Sequence, residues 1–206
     1  MKKLMTLVST LFLTACSVFG IRSATEPNYQ VVNDYEPIQI RLYPALVVAQ
    51  TEINADYKDS SSQGFQRLAG YIFGGNKKQQ TIAMTAPVIQ EQAAEKITMT
   101  APVIQQKSGA VWLMAFVLPS NYSVASAPLP LNAAVSIKEI PSKKTAVIRY
   151  TGSLTEEGIE AKAEELKIWL AKQGYKAISP SRSAAYDPPW TLPLLRRNEI
   201  HIDIES

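Results

Sequence analysis

Apolar and polar residues alternate with a period of two through much of this chain. Ile38, Ile40 and Leu42 interleave with Gln39, Arg41 and Tyr43 until Pro44, the pattern of a strand with one buried face, and Leu46–Ala49 follows as a second strand. Val135–Pro141 repeats the first of these at an offset of 97 positions, and Ala146–Tyr150 follows it just as Val47–Thr51 follows the first. Two stretches switch to helical spacing. Phe65, Leu68, Ala69 and Ile72 make one stripe, with Ser62 as its expected N-cap and Gly74-Gly75-Asn76 as its stop. Ile159, Ala163, Leu166 and Leu170 make the other, capped by Thr155 and closed by Gly174, with Glu160, Lys162, Glu164, Glu165 and Lys167 as its solvated face. Strands over Val111–Leu118 and Glu199–Ile204 end the two halves, about 29–120 and 133–205. Strands, helix and strands, repeated once, predict an α+β fold with a mostly antiparallel sheet and two packed helices. A groove between the halves, or between a helix and the sheet, is the natural ligand site.

The first residues depart from this pattern. Lys2 and Lys3 precede an apolar run over Leu4–Leu13 that is too short for a permanent span and reads as a signal peptide, residues 1–15. Leu13-Thr14-Ala15-Cys16 resembles a bacterial lipobox, which makes Cys16 the expected lipidation site and first mature residue. Ser17, where an aspartate signals inner-membrane retention, fits export to the outer membrane, facing the periplasm. Residues 16–28 then read as a tether and 29–206 as one domain. Because Cys16 is the sole cysteine, the remaining chain has no disulfide and no thiolate metal site. Without Lys2 and Lys3, 19 basic side chains face 18 acidic ones, and no long basic run appears, which argues against a nucleic-acid partner.

Two motifs are more specific. Ile82–Gln90 returns fifteen positions later as Ile97–Gln105, changed only at Ala83 against Thr98. A proline in each copy forbids helix, so the pair predicts two kinked strands, with Gln92–Lys96 between them as the connector of a hairpin. Near the C-terminus, Tyr186-Asp187-Pro188-Pro189-Trp190-Thr191-Leu192-Pro193 predicts a stiff turn that presents Trp190, either as a cleft wall or as a plug for the barrel end. The doubled Ile-x-Met-Thr-x-Pro-Val pattern, this turn and the following Arg196-Arg197-Asn198-Glu199 are similar to the hallmarks of the SOUL haem-binding protein family.

That resemblance implies a distorted, mostly antiparallel β-barrel of two pseudo-symmetric halves. It also implies haem or porphyrin binding, without catalysis, in a shallow apolar groove near the first helix. Carried over by position, Phe65, Leu68, Tyr71 and Ile72 become the groove floor, Arg67 and Lys77 partners for the propionates, and Tyr71 or Met84 a weak iron ligand. The residues themselves exclude much chemistry. His201 is the sole histidine, so no multi-histidine metal site exists, and no Gly-x-Ser-x-Gly elbow supports a triad. Alternation with Ile200, Ile202 and Ile204 directs His201 and Asp203 to the face opposite those isoleucines, expected to be solvent. Two other classes stay open on sequence: an envelope effector-binding or interaction lipoprotein with a non-porphyrin ligand, and a small-molecule hydrolase using groove carboxylates.

Overall fold

The computed structural model describes residues 24–92, 110–188 and 190–205. Nine strands and two helices follow one another as β1 (Gln30–Asp34), β2 (Ile38–Tyr43), β3 (Leu46–Ala55), α1 (Tyr57–Ile72), β4 (Val88–Gln92), β5 (Ala110–Val117), β6 (Val135–Ile140), β7 (Lys143–Tyr150), α2 (Glu156–Gln173), β8 (Arg182–Ala185) and β9 (Asn198–Asp203). All strand pairs are antiparallel, in the order β1-β2-β7-β9-β8-β4-β5-β3-β6. Setting β1 aside, this order maps onto itself when β2 exchanges with β6, β3 with β7, β4 with β8 and β5 with β9. The duplication seen in the sequence is therefore a pseudo-twofold in the fold. Each half also gives its first strand to the other: β2 pairs with β7, and β6 with β3.

That exchange bends the sheet. Pro44-Ala45 alone joins β2 to β3, and Pro141-Ser142 joins β6 to β7, although each pair lies six places apart in the strand order. A flat sheet would separate them by about 29 Å, more than two residues can reach. The sheet must curl until its ends approach, and the Ser142 hydroxyl crosses there to the Tyr43 carbonyl at 2.7 Å. No ladder joins the edge strands β1 and β6, so the expected barrel is a strongly curled open sheet.

The helices cover the outer face. α2 buries Ala163, Leu166 and Leu170 against Ile38, Ile40, Ala146, Ile148, Ile200 and Ile202, with Thr155 as its cap and Gly174 in the left-handed conformation at its end, as the sequence predicts. α1 starts earlier than predicted. Its cap is Asp56, whose carboxylate accepts the Asp59 amide at 2.8 Å, and Ser62 lies inside the helix. The first turns pack through small polar groups: Gln90 of β4 donates to Ser60 Oγ (3.0 Å) and accepts from Ser61 Oγ (2.8 Å). A Cβ on Gly64 would meet Ile53 and Met114 at 3.0 Å, so the helix approaches the sheet where no side chain intervenes. Apolar burial along α1 therefore begins at Leu68, and Phe65, expected at the head of the stripe, is exposed.

Leu42 is exposed, while Arg41 and Tyr43 on the opposite face are buried. The alternation predicted a wet face that does not exist, because the curled sheet encloses it. The first copy of the repeated nonapeptide leads into β4, whose ladder partner is Trp112–Phe116 of β5 and so lies beyond the second copy. The second copy and the connector beyond Gln92 lie outside the described residues.

Candidate functional site

At the C-terminal end of α1 the chain turns through Phe73–Thr81 against the extended segment Pro128–Leu131. Asn76 is the keystone. Fully buried, its amide donates to the Tyr71 and Gln80 carbonyls at 3.1 and 2.7 Å and its oxygen accepts the Gln80 amide. Lys77 donates its amide to Leu129 and Leu131 donates to Gly75, a short antiparallel bridge centred on Asn76 and Pro130. Since Asn76 points inward, alternation turns Lys77, Leu129 and Leu131 outward together. Leu129 is 57% exposed, Leu131 63% and the neighbouring Phe73 68%. The turn thus exposes three large apolar side chains, Phe73 where α1 ends and Leu129 and Leu131 on the segment bonded to Lys77 and Gly75, together with Lys77 and Lys78.

The residues expected to bind a ligand divide into two groups. Leu68, Tyr71 and Ile72 are buried in the core with Ile53, Met114 and Phe116 and do not reach a ligand in this conformation. The Tyr71 hydroxyl donates to the Pro128 carbonyl at 2.8 Å, and burial raises its pKa to about 12, so it is not placed to ligate iron. Arg67 is spent on the sheet, donating to the Glu52 carbonyl at 3.1 Å. Phe65, Lys77 and Met84 are exposed; Phe65 sets its ring edge-on to Phe116, and Met84 lies three residues beyond Thr81, which bridges to Phe73. Sequence reasoning missed Phe73, Leu129 and Leu131. The alternating Pro128-Leu129-Pro130-Leu131 was a readable signal of an extended segment displaying its leucines.

The interior of the curled sheet holds the second unusual arrangement. One wall is apolar, from Leu46, Val48, Ile89, Ala115, Val117 and Ile140. The other is charged. Glu199 accepts from Arg41 at 2.9 and 3.1 Å, from the Tyr186 hydroxyl at 2.7 Å and from Arg197 at 2.9 Å, and meets His201 Nε2 at 2.9 Å. Asp203 accepts from Lys143, Arg182 and Thr145. Burial alone would raise the Glu199 pKa, but His201 and Arg41 outweigh it and hold this carboxylate far below its usual range. Asp203, likewise opposed by burial, is held at about 2 by Arg182 and Lys143. Burial lowers the pKa of His201 against the pull of Glu199, so the ring is neutral at pH 7 and Nε2 donates to the carboxylate. His201 and Asp203 thus face this enclosed interior and not solvent, for the reason that buries Arg41. The cleft inside it, lined by Ile89, Val117, Thr145 and His201 with Pro44, Pro87 and Pro141, measures about 40 Å³, room for water and not for a macrocycle.

Two residues expected to be tether also pack on the domain: Thr25 bridges to Thr85, and Glu26 binds Arg197 at 3.0 Å. Tyr29, expected as the first domain residue, lies under the Arg41 guanidinium at 4.3 Å. Trp190, expected to wall a cleft or plug the barrel, does neither and is exposed.

Solved structures share this fold at low identity. The C-terminal domain of EcmrR superposes with a TM-score of 0.59 at 13% identity, over 86% of this chain and 98% of that one. A hydrolase of Listeria innocua gives 0.53 at 7% identity, over 82% and 91%. These likenesses speak to architecture alone. No curated protein matched the sequence. The model of the SOUL heme-binding protein family matches residues 24–203, which include both halves, the Asn76 turn and the enclosed charge network, and the chain belongs to that family.

Proposed function

We propose that this protein is anchored through Cys16 to the bacterial cell envelope, at the outer membrane facing the periplasm, and binds haem or a related tetrapyrrole without transforming it, buffering or carrying the pigment. The supporting observation is the turn that exposes Phe73, Leu129 and Leu131 together with Lys77 and Lys78, on a scaffold of a haem-binding family. A flat macrocycle buries apolar area on the three large side chains, while the ammonium groups pair with propionates at its rim. The loop is already fixed by Asn76, so binding orders little backbone.

The donor set fits the porphyrin better than its metal. His201 is bonded to Glu199 in the interior and Tyr71 is engaged with Pro128, which leaves the sulfur of exposed Met84 as the candidate axial ligand among the residues named from the resemblance. Affinity then comes from the macrocycle, and haemin and metal-free protoporphyrin should bind with similar strength. Titration of each into the soluble chain, followed by absorbance and tryptophan quenching, tests this. Saturable one-to-one binding of both, within about tenfold, is the expected result, and haemin binding with no protoporphyrin binding would contradict it.

A further inference from the structure

Between β8 and β9 the chain crosses the surface from Tyr186 to Arg197 in a loop braced from within. The Tyr186 amide donates to the Arg197 carbonyl, and the Arg197 amide to Asp187 Oδ2 at 2.6 Å. Thr191 is buried, its amide on the Pro188 carbonyl and its own carbonyl taken by Arg196 Nε at 2.7 Å. A 3-10 turn at Pro193–Leu195 follows, tied to the body by the Gly152 amide on the Pro193 carbonyl. This rigid frame holds Trp190 62%, Leu192 48%, Leu194 83% and Leu195 42% exposed. Single exposed apolar residues are ordinary, but four within six positions on a braced loop form a patch the fold maintains.

The place where the chain enters the domain identifies the occupant. Ala24 packs on the cluster of Ala86, Ala184 and Tyr186, and Glu26 binds Arg197, so the N-terminal segment enters at the base of this loop. Ala24 lies eight residue steps beyond Cys16, a reach of at most about 29 Å. An acyl chain on Cys16 therefore keeps the loop within one short tether of the bilayer. Tryptophan favours the headgroup level and leucines the acyl boundary.

We propose that Trp190–Leu195 is a membrane-docking loop that inserts into the bilayer to which Cys16 is anchored and so orients the domain on that surface. The proposal rests on the lipid-anchor reading of Cys16. Its partner is a phospholipid surface, and the apolar side chains supply the contact, because Arg196 and Arg197 are engaged within the fold.

The test uses the acylated protein reconstituted in vesicles of phosphatidylethanolamine and phosphatidylglycerol. Leu194→Cys carries a nitrobenzoxadiazole label, the sole thiol once Cys16 is acylated, and Glu164→Cys on the outer face of α2 carries the control. Flotation of the protein with the vesicles reports the anchor. A blue-shifted, dithionite-protected probe at position 194 with a water-like probe at 164 supports the docking loop. Flotation with a water-like probe at both positions overturns it, leaves the anchor standing and assigns the patch to a protein contact. Absence of flotation overturns the anchor reading. The loop is then judged on the non-acylated Cys16→Ser chain, where Trp190→Ser with Leu194→Ser should lower vesicle partitioning roughly tenfold, and unchanged partitioning would overturn the docking role.

Discussion

Replacing Glu199 with glutamine removes one charge from the interior network while keeping the shape of the side chain. The carboxylate takes hydrogen bonds from Arg41, Tyr186 and Arg197 and from His201. The amide keeps one acceptor and turns an N–H₂ toward donors, so at least one guanidinium contact becomes donor against donor. Arg197 retains Glu26, but Arg41, 1% exposed, loses its only carboxylate partner among the described residues. Stranding a buried charge costs about 3–5 kcal/mol. For a domain of this size each kcal/mol lowers the midpoint by about 2–4 °C, so Glu199→Gln should melt roughly 6–20 °C below the parent. Urea unfolding at pH 7 should show a lower midpoint with an unchanged slope. Arg41→Met with Glu199→Gln should lose less than the sum of the single losses, with a coupling of about 0.5–3 kcal/mol. A loss below about 1 kcal/mol for Glu199→Gln, or strict additivity, would refute the view that this network is dry and mutually dependent.

Other consequences follow from the same structure. The folded-state pKa of His201 lies below its ordinary 6.5, so below pH 6.5 the unfolded chain binds a proton that the folded one refuses, and stability falls with pH; Glu199 and Asp203, also lowered, add a steeper loss below about 4.5. His201→Gln should flatten the slope between pH 6.5 and 5 in urea titrations and leave the acid limb, whereas an unchanged upper slope would mean that another group titrates there. Asp56→Ala should destabilise by about 1 kcal/mol and Ser62→Ala by a few tenths at most, with equal losses assigning the cap wrongly. Gly75→Ala places a Cβ 2.5 Å from the Gly70 carbonyl oxygen and should lower the melting temperature and distort the Phe73–Thr81 turn, seen as weaker tetrapyrrole binding; a neutral substitution would show that this turn moves freely.

How far the chain could be read depended on whether a signal was local. Period-two and helical spacing placed both halves, Thr155 and Gly174, because α2 packs by an ordinary apolar stripe. Asp56 escaped notice since α1 enters through Ser60 and Gly64, which carry no hydrophobic signal. The burial of Arg41, Glu199, His201 and Asp203 was hidden for a different reason. It follows from the exchange of β2 and β6 between halves and the curl imposed by Pro44-Ala45 and Pro141-Ser142, long-range facts that alternation cannot encode. The proposed surface was legible in part: the family resemblance points to Lys77, but the leucines of Pro128–Leu131 lie more than fifty residues away and come to it through the Asn76 bridge and the Tyr71 bond to Pro128.

The most direct test of the account asks where a tetrapyrrole binds. Haemin should be titrated into three soluble chains: the parent, Phe73→Ser with Leu131→Ser at the end of α1, and Thr145→Trp, which fills the interior cleft lined by Thr145, Ile89 and Val117. Binding should be at least about tenfold weaker for the surface pair and parent-like for the filled cleft. Parent-like affinity in the surface pair with loss in Thr145→Trp would move the site into the charged interior and contradict the account.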